Sequence, residues 1–417
     1  MTITDIKKYT NKIFWGIIVF FLVFAFPIIP ALSSAKIVLL IVLFITLSKH
    51  SLKKQIYLIN SQFNRYFTIL SLLILFTLSQ TILFFQFDYS LSFKILSSFI
   101  LYFLSYFVYS EIKNIYNIPN LLIWCFVFQS IFIILAILSQ AFYDLTQVFR
   151  GNELSEEHIQ AYGRLRGNAI SGYQFFGISS MYTFVYIYFL LHLKKFKHRY
   201  IILLLLTVAG ICSGRYAITG ILISIIFILI RFLWEGKIIK ILKIVIITAI
   251  SICIMIFSIY KIAENIEDPI MFKIVERYIL QPIDSLIEEG QLETTSTNSL
   301  EDMYDSEEIK KYFILGSGRY TNDDGSYFGY VDIGYYRMLG YYGIIGYIFV
   351  WYATYYLIFR TNSKLDTITK YAFFVNFIIL NIKGDVNIWN NNLVPILVAF
   401  LFFNNSTINK NQKLMPY

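Results

Sequence analysis

Twelve apolar stretches run through the chain, and they limit its possible folds more than any other feature. A helix needs about 20 apolar residues to cross a bilayer, and most of these stretches approach that length. Hydrophobic residues make up 57% of the 417 residues and charged residues only 15%, which excludes a soluble globular protein. The sequence therefore predicts an all-α polytopic membrane protein, in which 1–417 is a single integral membrane domain. The predicted transmembrane helices span 13–32, 35–48, 66–86, 91–109, 119–141, 173–193, 200–213, 216–233, 242–260, 331–359, 371–386 and 388–403.

The positions of the basic residues predict how these helices are oriented. If the N-terminus is cytoplasmic, 21 of the 35 Lys and Arg residues lie on cytoplasmic segments. An excess of positive charge in cytoplasmic loops is the usual pattern in membrane proteins. We therefore expect both termini in the cytoplasm. In a membrane protein the positions of the basic residues matter more than their sum, so the net charge of +9 does not indicate nucleic acid binding, and we expect no nucleic acid as a partner.

Two predicted outer loops are much longer than the others. The first covers 142–172. The second covers 261–330 and is acidic, with fifteen Asp and Glu residues against six Lys and Arg. A charge-rich loop is commonly only a solvated surface, but a loop of this length in a compact protein is more often functional. With a cytoplasmic N-terminus, both loops lie on the outer side of the membrane.

The first outer loop ends near two arginines. Arg164 and Arg166 stand among small residues directly before an apolar run, where a cation is costly without an anionic partner. One interpretation is the rim of a lipid-phosphate site, to which Ser171 or Asn168 adds backbone donors by capping the next helix. The other is that both side chains reach lipid headgroups from the end of a helix.

Arg215 follows an apolar stretch that is too short to cross a membrane. Residues 201–212 form a run of 12 residues, about 18 Å long as a helix. A broken helix would leave Arg215 near the outer surface, with Ser213 capping the next helix and directing its amides at an anion. A short outer turn, from which Arg215 reaches the headgroups, is the alternative.

The stretch 331–359 is unusually long and is polar at its start. Its first third contains Asp332 and Arg337, so we expect its outer end to leave the bilayer or to line a wet cavity. A stripe of small residues further along favours close packing of another helix. The stripe consists of Gly340, Gly343 and Gly346.

The segment 315–327, just before this stretch, has three glycines suited to turns. The lysine of a nucleotide phosphate loop is absent, and we interpret the segment as an ordered loop that closes over the same cavity. Its charged residues are Arg319, Asp323 and Asp324. In the stretch 371–386, Lys383 either pairs with Asp385 or contacts the anion itself, and the sequence leaves both open.

The outer face thus offers arginines, carboxylates and many tyrosines. Guanidinium groups bind phosphate in a bidentate manner, a carboxylate can accept a proton from a hydroxyl, and aromatic faces suit sugar rings, although tyrosine is also enriched at membrane interfaces. No zinc-binding signature occurs, and we expect no metal and no cofactor. The pattern points to a transferase with a lipid-phosphate leaving group. The arginines are Arg164, Arg166, Arg215, Arg319 and Arg337, and the carboxylates are Asp323, Asp324 and Asp332.

The sequence resembles the Wzy-type O-antigen and capsular polysaccharide repeat-unit polymerases, which are related to the O-antigen ligases. The resemblance rests on about twelve transmembrane helices, a smaller and a larger outer loop, and an Arg-x10-Gly pattern formed by Arg166 and Gly177. It includes Ser-Gly-Arg at 213–215 and the glycine series within 316–346. A second pattern, Arg-x15-Gly, is not met, since Gly334 follows Arg319 one residue early.

This resemblance implies a GT-C-like membrane glycosyltransferase of the bacterial inner membrane that acts at the periplasmic face. It would transfer a glycan from undecaprenyl pyrophosphate to a sugar hydroxyl of the next lipid-linked repeat unit. Membrane lipids would surround it, and a chain-length regulator is a candidate partner. The implied roles are pyrophosphate binding by Arg166 and Arg215 with support from Arg164 and Arg337, and activation of the acceptor hydroxyl by Asp332, or else by Asp323 or Asp324.

Two alternatives predict features that the sequence lacks. An O-antigen ligase is expected to carry a functional histidine in its large outer loop, and 261–330 contains none. A flippase for lipid-linked oligosaccharides would have broken helices at matching positions of its two halves. The break near Ser213 has no counterpart in the first half of the sequence. The polymerase is therefore the favoured hypothesis.

Overall fold

A computed structural model of the chain describes residues 3–29, 32–48, 52–84, 86–150, 169–237, 239, 303, 307–322 and 324–404. Helices dominate this part of the chain, and one short antiparallel ribbon joins β1 (Pro27–Ile29) to β2 (Leu32–Ser33). The helices are α1 (Ile3–Phe24), α2 (Ser34–Ser48), α3 (Leu52–Leu83), α4 (Ser90–Ile112), α5 (Ile118–Leu138), α6 (Gln140–Arg150), α7 (Phe176–Leu191), α8 (Arg199–Ser213), α9 (Ala217–Trp234), α10 (Glu307–Lys311), α11 (Gly334–Tyr355), α12 (Thr367–Leu380) and α13 (Val394–Phe402). Short 3₁₀ turns lie at Leu193–Lys195 and Phe328–Tyr330, and a π-helical turn, Tyr356–Arg360, continues α11.

Five described helical segments are long and apolar enough to cross a membrane, judged by length and composition. They are Arg65–Leu83, Ser90–Ile112, Ile118–Leu138, Ala217–Trp234 and Gly334–Arg360. Four shorter apolar helices accompany them, at Thr10–Phe24, Phe176–Leu191, Arg199–Ser213 and Thr367–Leu380. The prediction of a helical membrane protein is confirmed at this level. The predicted helix 242–260 and most of the acidic segment 261–330 lie outside the described residues, so the number of twelve stays a prediction.

Three helices differ clearly from the predicted bounds. Helix α1 begins at Ile3 and ends at Phe24, so the end of the predicted helix 13–32 forms strand β1 and the start of β2 instead. Helix α3 has 32 residues and begins well before the apolar stretch, because the polar residues at its start are good helix formers. The apolar stretch 388–403 contains only the nine residues of α13. The asparagines that precede α13 favour turns, since their side chains compete for backbone hydrogen bonds.

Helix α7 forms the centre of the bundle. Every side chain from Ile178 to Phe189 is buried, and the helix packs against α8, α9, α12 and α13. A helix that is apolar all round is typical of such a central position. The backbone of α9 comes close to that of α7, since a Cβ added to Gly220 would lie 2.5 Å from the Cα of Thr183. Around this centre α4 packs on α3 and α13, α5 packs on α8, and α11 packs on α3.

Helix α11 is broken in its middle. Gly343 has φ 65° and ψ −179°, which interrupts the helical hydrogen bonding. The chain before the helix fills the gap: Ser317 N–H donates to Gly340 O at 2.7 Å, and Ile344 N–H donates to Phe313 O at 2.9 Å. Backbone groups freed inside a membrane protein need such partners, because lipid supplies none. The break is therefore a built feature that holds the segment 313–318 against α11.

A second irregular segment, 381–393, joins α12 to α13 and is almost entirely buried. Its asparagine side chains supply the hydrogen bonds that a helix would otherwise make. Asn381 Nδ2 donates to Val386 O at 2.6 Å, and Asn392 Nδ2 donates to Gly177 O at 2.7 Å. Irregular backbone at membrane depth is tolerated where protein covers it or where it lines a polar cavity.

Candidate functional site

Charged and aromatic side chains converge at the end of the bundle where α3 ends and where α4 and α11 begin. The described members come from α4, α11, the segment before α11 and the irregular segment 381–393. We call this group the Arg337 cluster. It consists of Lys94, Tyr320, Tyr327, Arg337 and Asp385.

Arg337 lies in the first turn of α11 with only 7% of its surface exposed. The guanidinium Cζ is 3.3 Å from the ring centroid of Tyr327 and 4.5 Å from that of Tyr320. These ring contacts stabilise the positive charge but use none of its N–H donors. Among the described residues, Nε and Nη2 have no hydrogen-bond partner, and no carboxylate lies within 4.0 Å.

The two unsatisfied nitrogens of Arg337 lie side by side on one edge of the guanidinium. That edge is the one that binds a carboxylate or a phosphate through two parallel hydrogen bonds. A buried donor without a partner costs about 1 to 3 kcal/mol, and such a cost in a native structure calls for a reason. The arrangement can receive an anionic group with two oxygens.

Asp385 is the buried carboxylate of the cluster, with 2% of its side chain exposed. Its Oδ2 accepts hydrogen bonds from Tyr320 Oη at 2.5 Å and from Lys94 Nζ at 3.4 Å, and its Oδ1 accepts one from Asn387. Lys94 Nζ also lies 3.3 Å from Tyr320 Oη. Burial and the neighbouring Asp385 raise the pKa of Tyr320 well above its usual value, so that the hydroxyl keeps its proton and donates.

Asp88, in the turn between α3 and α4, fixes the backbone that carries Tyr320. Its Oδ2 accepts from Tyr320 N at 2.7 Å, from Thr321 N at 2.8 Å and from Thr321 Oγ1 at 3.1 Å. Its Oδ1 accepts from the backbone N–H and the hydroxyl of Ser90. Burial raises the pKa of Asp88, but these hydrogen bonds outweigh burial and leave the pKa below its usual value.

We expect Asp88→Ala to destabilise the protein by about 2 to 3 kcal/mol, because five donors lose their acceptor in a half-buried site. Thermal unfolding in detergent measures this loss, and amide exchange at Tyr320 and Thr321 should quicken. Since folding lowers the pKa of Asp88, its stabilisation is complete above the unfolded pKa near 3.8 and is lost as the pH falls through the lower folded value. Unchanged exchange at Tyr320 would contradict this role. The thermal stability of Asp88→Asn, which keeps one acceptor oxygen, should lie between that of the wild type and that of Asp88→Ala.

Asp332 stands two residues before the start of α11, on the N-terminal side of Arg337. Burial raises the pKa of Asp332 above that of an ordinary carboxyl, although the positive charges of Arg337 and Lys383 partly oppose the shift. Lys383 Nζ in turn lies 5.8 Å from the ring centroid of Tyr216. Tyr216 directly follows Arg215 in the turn between α8 and α9. The structure thus brings Asp332, Arg337 and the Arg215 turn to one end of the bundle.

The other predicted site residues divide into two groups. Arg319 is partly buried, and its Nε donates to Thr321 O at 2.9 Å, so that its side chain supports its own loop. Asp324 is exposed and accepts from the N–H and hydroxyl of Ser326 in a turn that contains Gly325. The other group lies outside the described residues. It consists of Arg164, Arg166 and Asp323.

Both predictions of helix capping by serine are wrong. Helix α7 begins at Phe176 after the N-cap residue Phe175, which makes no side-chain cap. Ser171 Oγ instead accepts from Tyr173 N at 3.1 Å, which stabilises a turn. Ser213 Oγ donates back to Ala209 O at 2.8 Å within α8. A serine hydroxyl can form hydrogen bonds with several nearby backbone groups. In both serines it bonds to a backbone group outside the first turn of the next helix.

The three glycines of the α11 stripe have three different roles. Gly346 packs against α3, where an added Cβ would lie 2.5 Å from Phe76 Cε1, as the predicted helix packing requires. Gly340 faces Ile309, at 2.6 Å from an added Cβ to Ile309 Cδ1. Gly343 is instead the point at which the helix breaks. Spacing alone does not distinguish a packing glycine from a breaking one.

Lys94, Asp88 and Tyr320 are site residues that the sequence reasoning missed. Lys94 carried a usable signal, because it is a lone cation near the start of the apolar stretch 91–109. Asp88 and Tyr320 carried none. Their contact joins positions 232 residues apart, and each looks like an ordinary loop residue in isolation.

We compared the chain with protein-family models, with curated proteins and with solved structures. None of the three comparisons gives a match.

Proposed function

We propose that the protein is a membrane glycosyltransferase that polymerises lipid-linked oligosaccharides at the outer face of the bacterial inner membrane. The observation that carries this proposal is the buried edge of Arg337, where Nε and Nη2 have no partner among the described residues. A phosphate group offers the two oxygens that this edge binds best. In this proposal, the leaving group is the pyrophosphate of an undecaprenyl-linked glycan.

The surroundings of Arg337 support an amphipathic substrate with a phosphate and a sugar. Lys94 offsets the negative charge of Asp385, and the half-exposed ring of Tyr327 offers a face on which a sugar can stack. The site lies at the end of apolar helices, where a prenyl chain in the bilayer meets its polar headgroup. These features fit a lipid pyrophosphate better than a free sugar phosphate.

The reaction requires only groups that the chain supplies. Asp332 takes the proton of an acceptor hydroxyl, whose oxygen forms a bond to the anomeric carbon of the donor sugar. The bond from that carbon to the pyrophosphate oxygen breaks, and the electron pair leaves with the lipid pyrophosphate. Arg337 stabilises the charge that develops there, an effect commonly worth a factor of 100 to 1000 in rate for one donor. Arg164, Arg166 and Arg215 are the further candidates for pyrophosphate binding.

The test is polymerisation by the purified full-length protein in lipid nanodiscs, given a synthetic undecaprenyl-pyrophosphate repeat unit of the host's glycan. We expect a ladder of longer lipid-linked glycans, and no ladder from a monophosphate-linked analogue. Arg166→Ala and Arg215→Ala should each weaken the ladder if they bind the pyrophosphate. Glycans joined to a lipid A core instead of to each other would identify a ligase.

A second outcome would overturn the polymerase. If the pyrophosphate substrate gives no ladder but crosses the bilayer of proteoliposomes that contain the protein, the protein is a flippase and the same arginine side chains bind the substrate for transport. Matching loss of transport in Arg337→Ala would then assign the anion site to transport. A chain-length regulator is not needed for either measurement.

The pH dependence of polymerisation should report Asp332. Because folding raises the pKa of this carboxyl above 3.8, the carboxylate that accepts the proton is lost at a higher pH than for an ordinary aspartate. We expect kcat/KM to fall as the pH decreases through that raised value. Asp332→Asn should lower the rate about 100-fold or more and remove this acid limb. An Asp332→Asn variant that keeps the acid limb would exclude Asp332 as the base and turn attention to Asp323 or Asp324.

A further inference from the structure

We propose that Tyr320 is a positioning residue, whose ring, fixed by Asp385 and Lys94 through its hydroxyl, holds Arg337 so that Nε and Nη2 face the anionic group. This inference rests on the proposed function, because it concerns the same site. It adds a residue that contacts neither the leaving group nor the acceptor hydroxyl and acts through Arg337.

The hydroxyl of Tyr320 is fixed on one side by two charged groups. It donates to Asp385 Oδ2 at 2.5 Å and lies 3.3 Å from Lys94 Nζ. Lys94 and Asp385 are themselves an ion pair, with Nζ and Oδ2 3.4 Å apart. Three atoms that each contact the other two define one place for the hydroxyl, and through it one orientation for the ring.

The backbone and the ring of Tyr320 are fixed independently of the hydroxyl. Asp88 accepts from the backbone N–H at 2.7 Å, which ties this residue to the turn between α3 and α4. The ring meets that of Tyr341 edge to face, with centroids 6.2 Å apart, and Tyr341 Oη lies 3.1 Å from Thr81 Oγ1. The platform beneath Arg337 is thus attached to α3, α4 and α11 at once.

Arg337 needs such a platform because Nε and Nη2 of its guanidinium make no hydrogen bond to the described residues. The buried carboxylate of Asp385 is not in salt-bridge range of the guanidinium and accepts hydrogen bonds from Tyr320 and Lys94 instead. A direct ion pair with Asp385 would occupy the edge that the ligand uses. Placing the tyrosine between the two charges keeps the guanidinium oriented while its bidentate edge stays available.

The experiment uses farnesyl pyrophosphate as a probe with the full-length protein in nanodiscs, and measures its Kd by calorimetry. Arg337→Ala should lose binding. Tyr320→Phe keeps the ring but loses the hydroxyl anchor, and we expect about fivefold weaker binding, equivalent to one hydrogen bond. Tyr320→Leu loses both and should weaken binding about 50-fold or more. The matched control is Tyr186→Phe, which loses a buried hydroxyl contact of 2.5 Å to Leu206 O far from the cluster.

A graded series in Kd, with Tyr186→Phe binding like the wild type at an equal loss of thermal stability, supports the inference. If Arg337→Ala loses binding but both Tyr320 variants bind like the wild type, the positioning role is overturned and the proposed function stands. If the wild type itself binds no farnesyl pyrophosphate, the anion site and the positioning role fall together. If Tyr320→Leu does not fold, the Tyr320→Phe comparison with Tyr186→Phe decides alone.

Discussion

Arg337→Ala should abolish polymerisation, with a loss of at least about 100-fold in kcat/KM, while the protein remains folded. In the proposed mechanism the side chain supplies two donors to the leaving group, and removing even one such donor commonly costs a factor of 100 to 1000 in rate. Stability should change little, because no described carboxylate within 4.0 Å is left unpaired. The measurement is polymerisation rate at several substrate concentrations, together with thermal unfolding.

Arg337→Lys and Arg360→Ala complete this experiment. Lysine keeps the charge but loses the bidentate edge and the planar stacking on tyrosine, so we expect only partial recovery of the rate. Arg360 is the matched control, since its Cζ also lies near a tyrosine ring, 5.8 Å from Tyr355, but at the opposite, exposed end of the same helical segment. Activity of Arg337→Ala equal to that of Arg360→Ala would remove Arg337 from the site.

Gly316→Ala should be strongly destabilising, with a loss of more than about 4 kcal/mol. Gly316 has φ 77°, and an added Cβ would lie 2.2 Å from Tyr341 O and 2.6 Å from Gly343 N. Both obstacles are backbone atoms of the break in α11, so no side chain can move aside. The segment 313–318 would be driven out of the break, and the first half of α11, which carries Arg337, would lose its support.

Gly325→Ala separates the steric clash from backbone strain. Gly325 has φ 81°, almost the same as Gly316, but an added Cβ would meet nothing within 4 Å. We expect this variant to cost only about 1 to 2 kcal/mol, the strain of a left-handed residue. Thermal unfolding and farnesyl pyrophosphate binding measure both variants. If Gly316→Ala and Gly325→Ala lose equal stability, the contact with α11 is not what makes Gly316 necessary.

Some features of the site could be read from the sequence because they depend on local pattern. Asp332 and Arg337 are charges at the start of an apolar stretch, and a charge in that position is costly enough to signal a role. The glycines of 315–327 were predicted as turn residues, and Gly316, Gly318 and Gly325 all have positive φ. The partner of Asp385 could not be read in this way. The sequence offered Lys383 two residues away, and the folded chain places Lys94 on Asp385 instead.

The sequence by itself determined that this protein is built from apolar helices of membrane-spanning length, since hydrophobicity over a window of about 20 residues depends on neighbours in the chain. It also determined at which positions Lys and Arg residues stand in or beside those apolar helices. Only the tertiary structure decided that Gly343 breaks α11 while Gly346 packs, and that Asp385 meets Lys94 across 291 residues and Tyr320 across 65. Such contacts form because separate helices are packed into one bundle. A side chain's partner is then set by the geometry of that packing and not by the residues beside it in the chain.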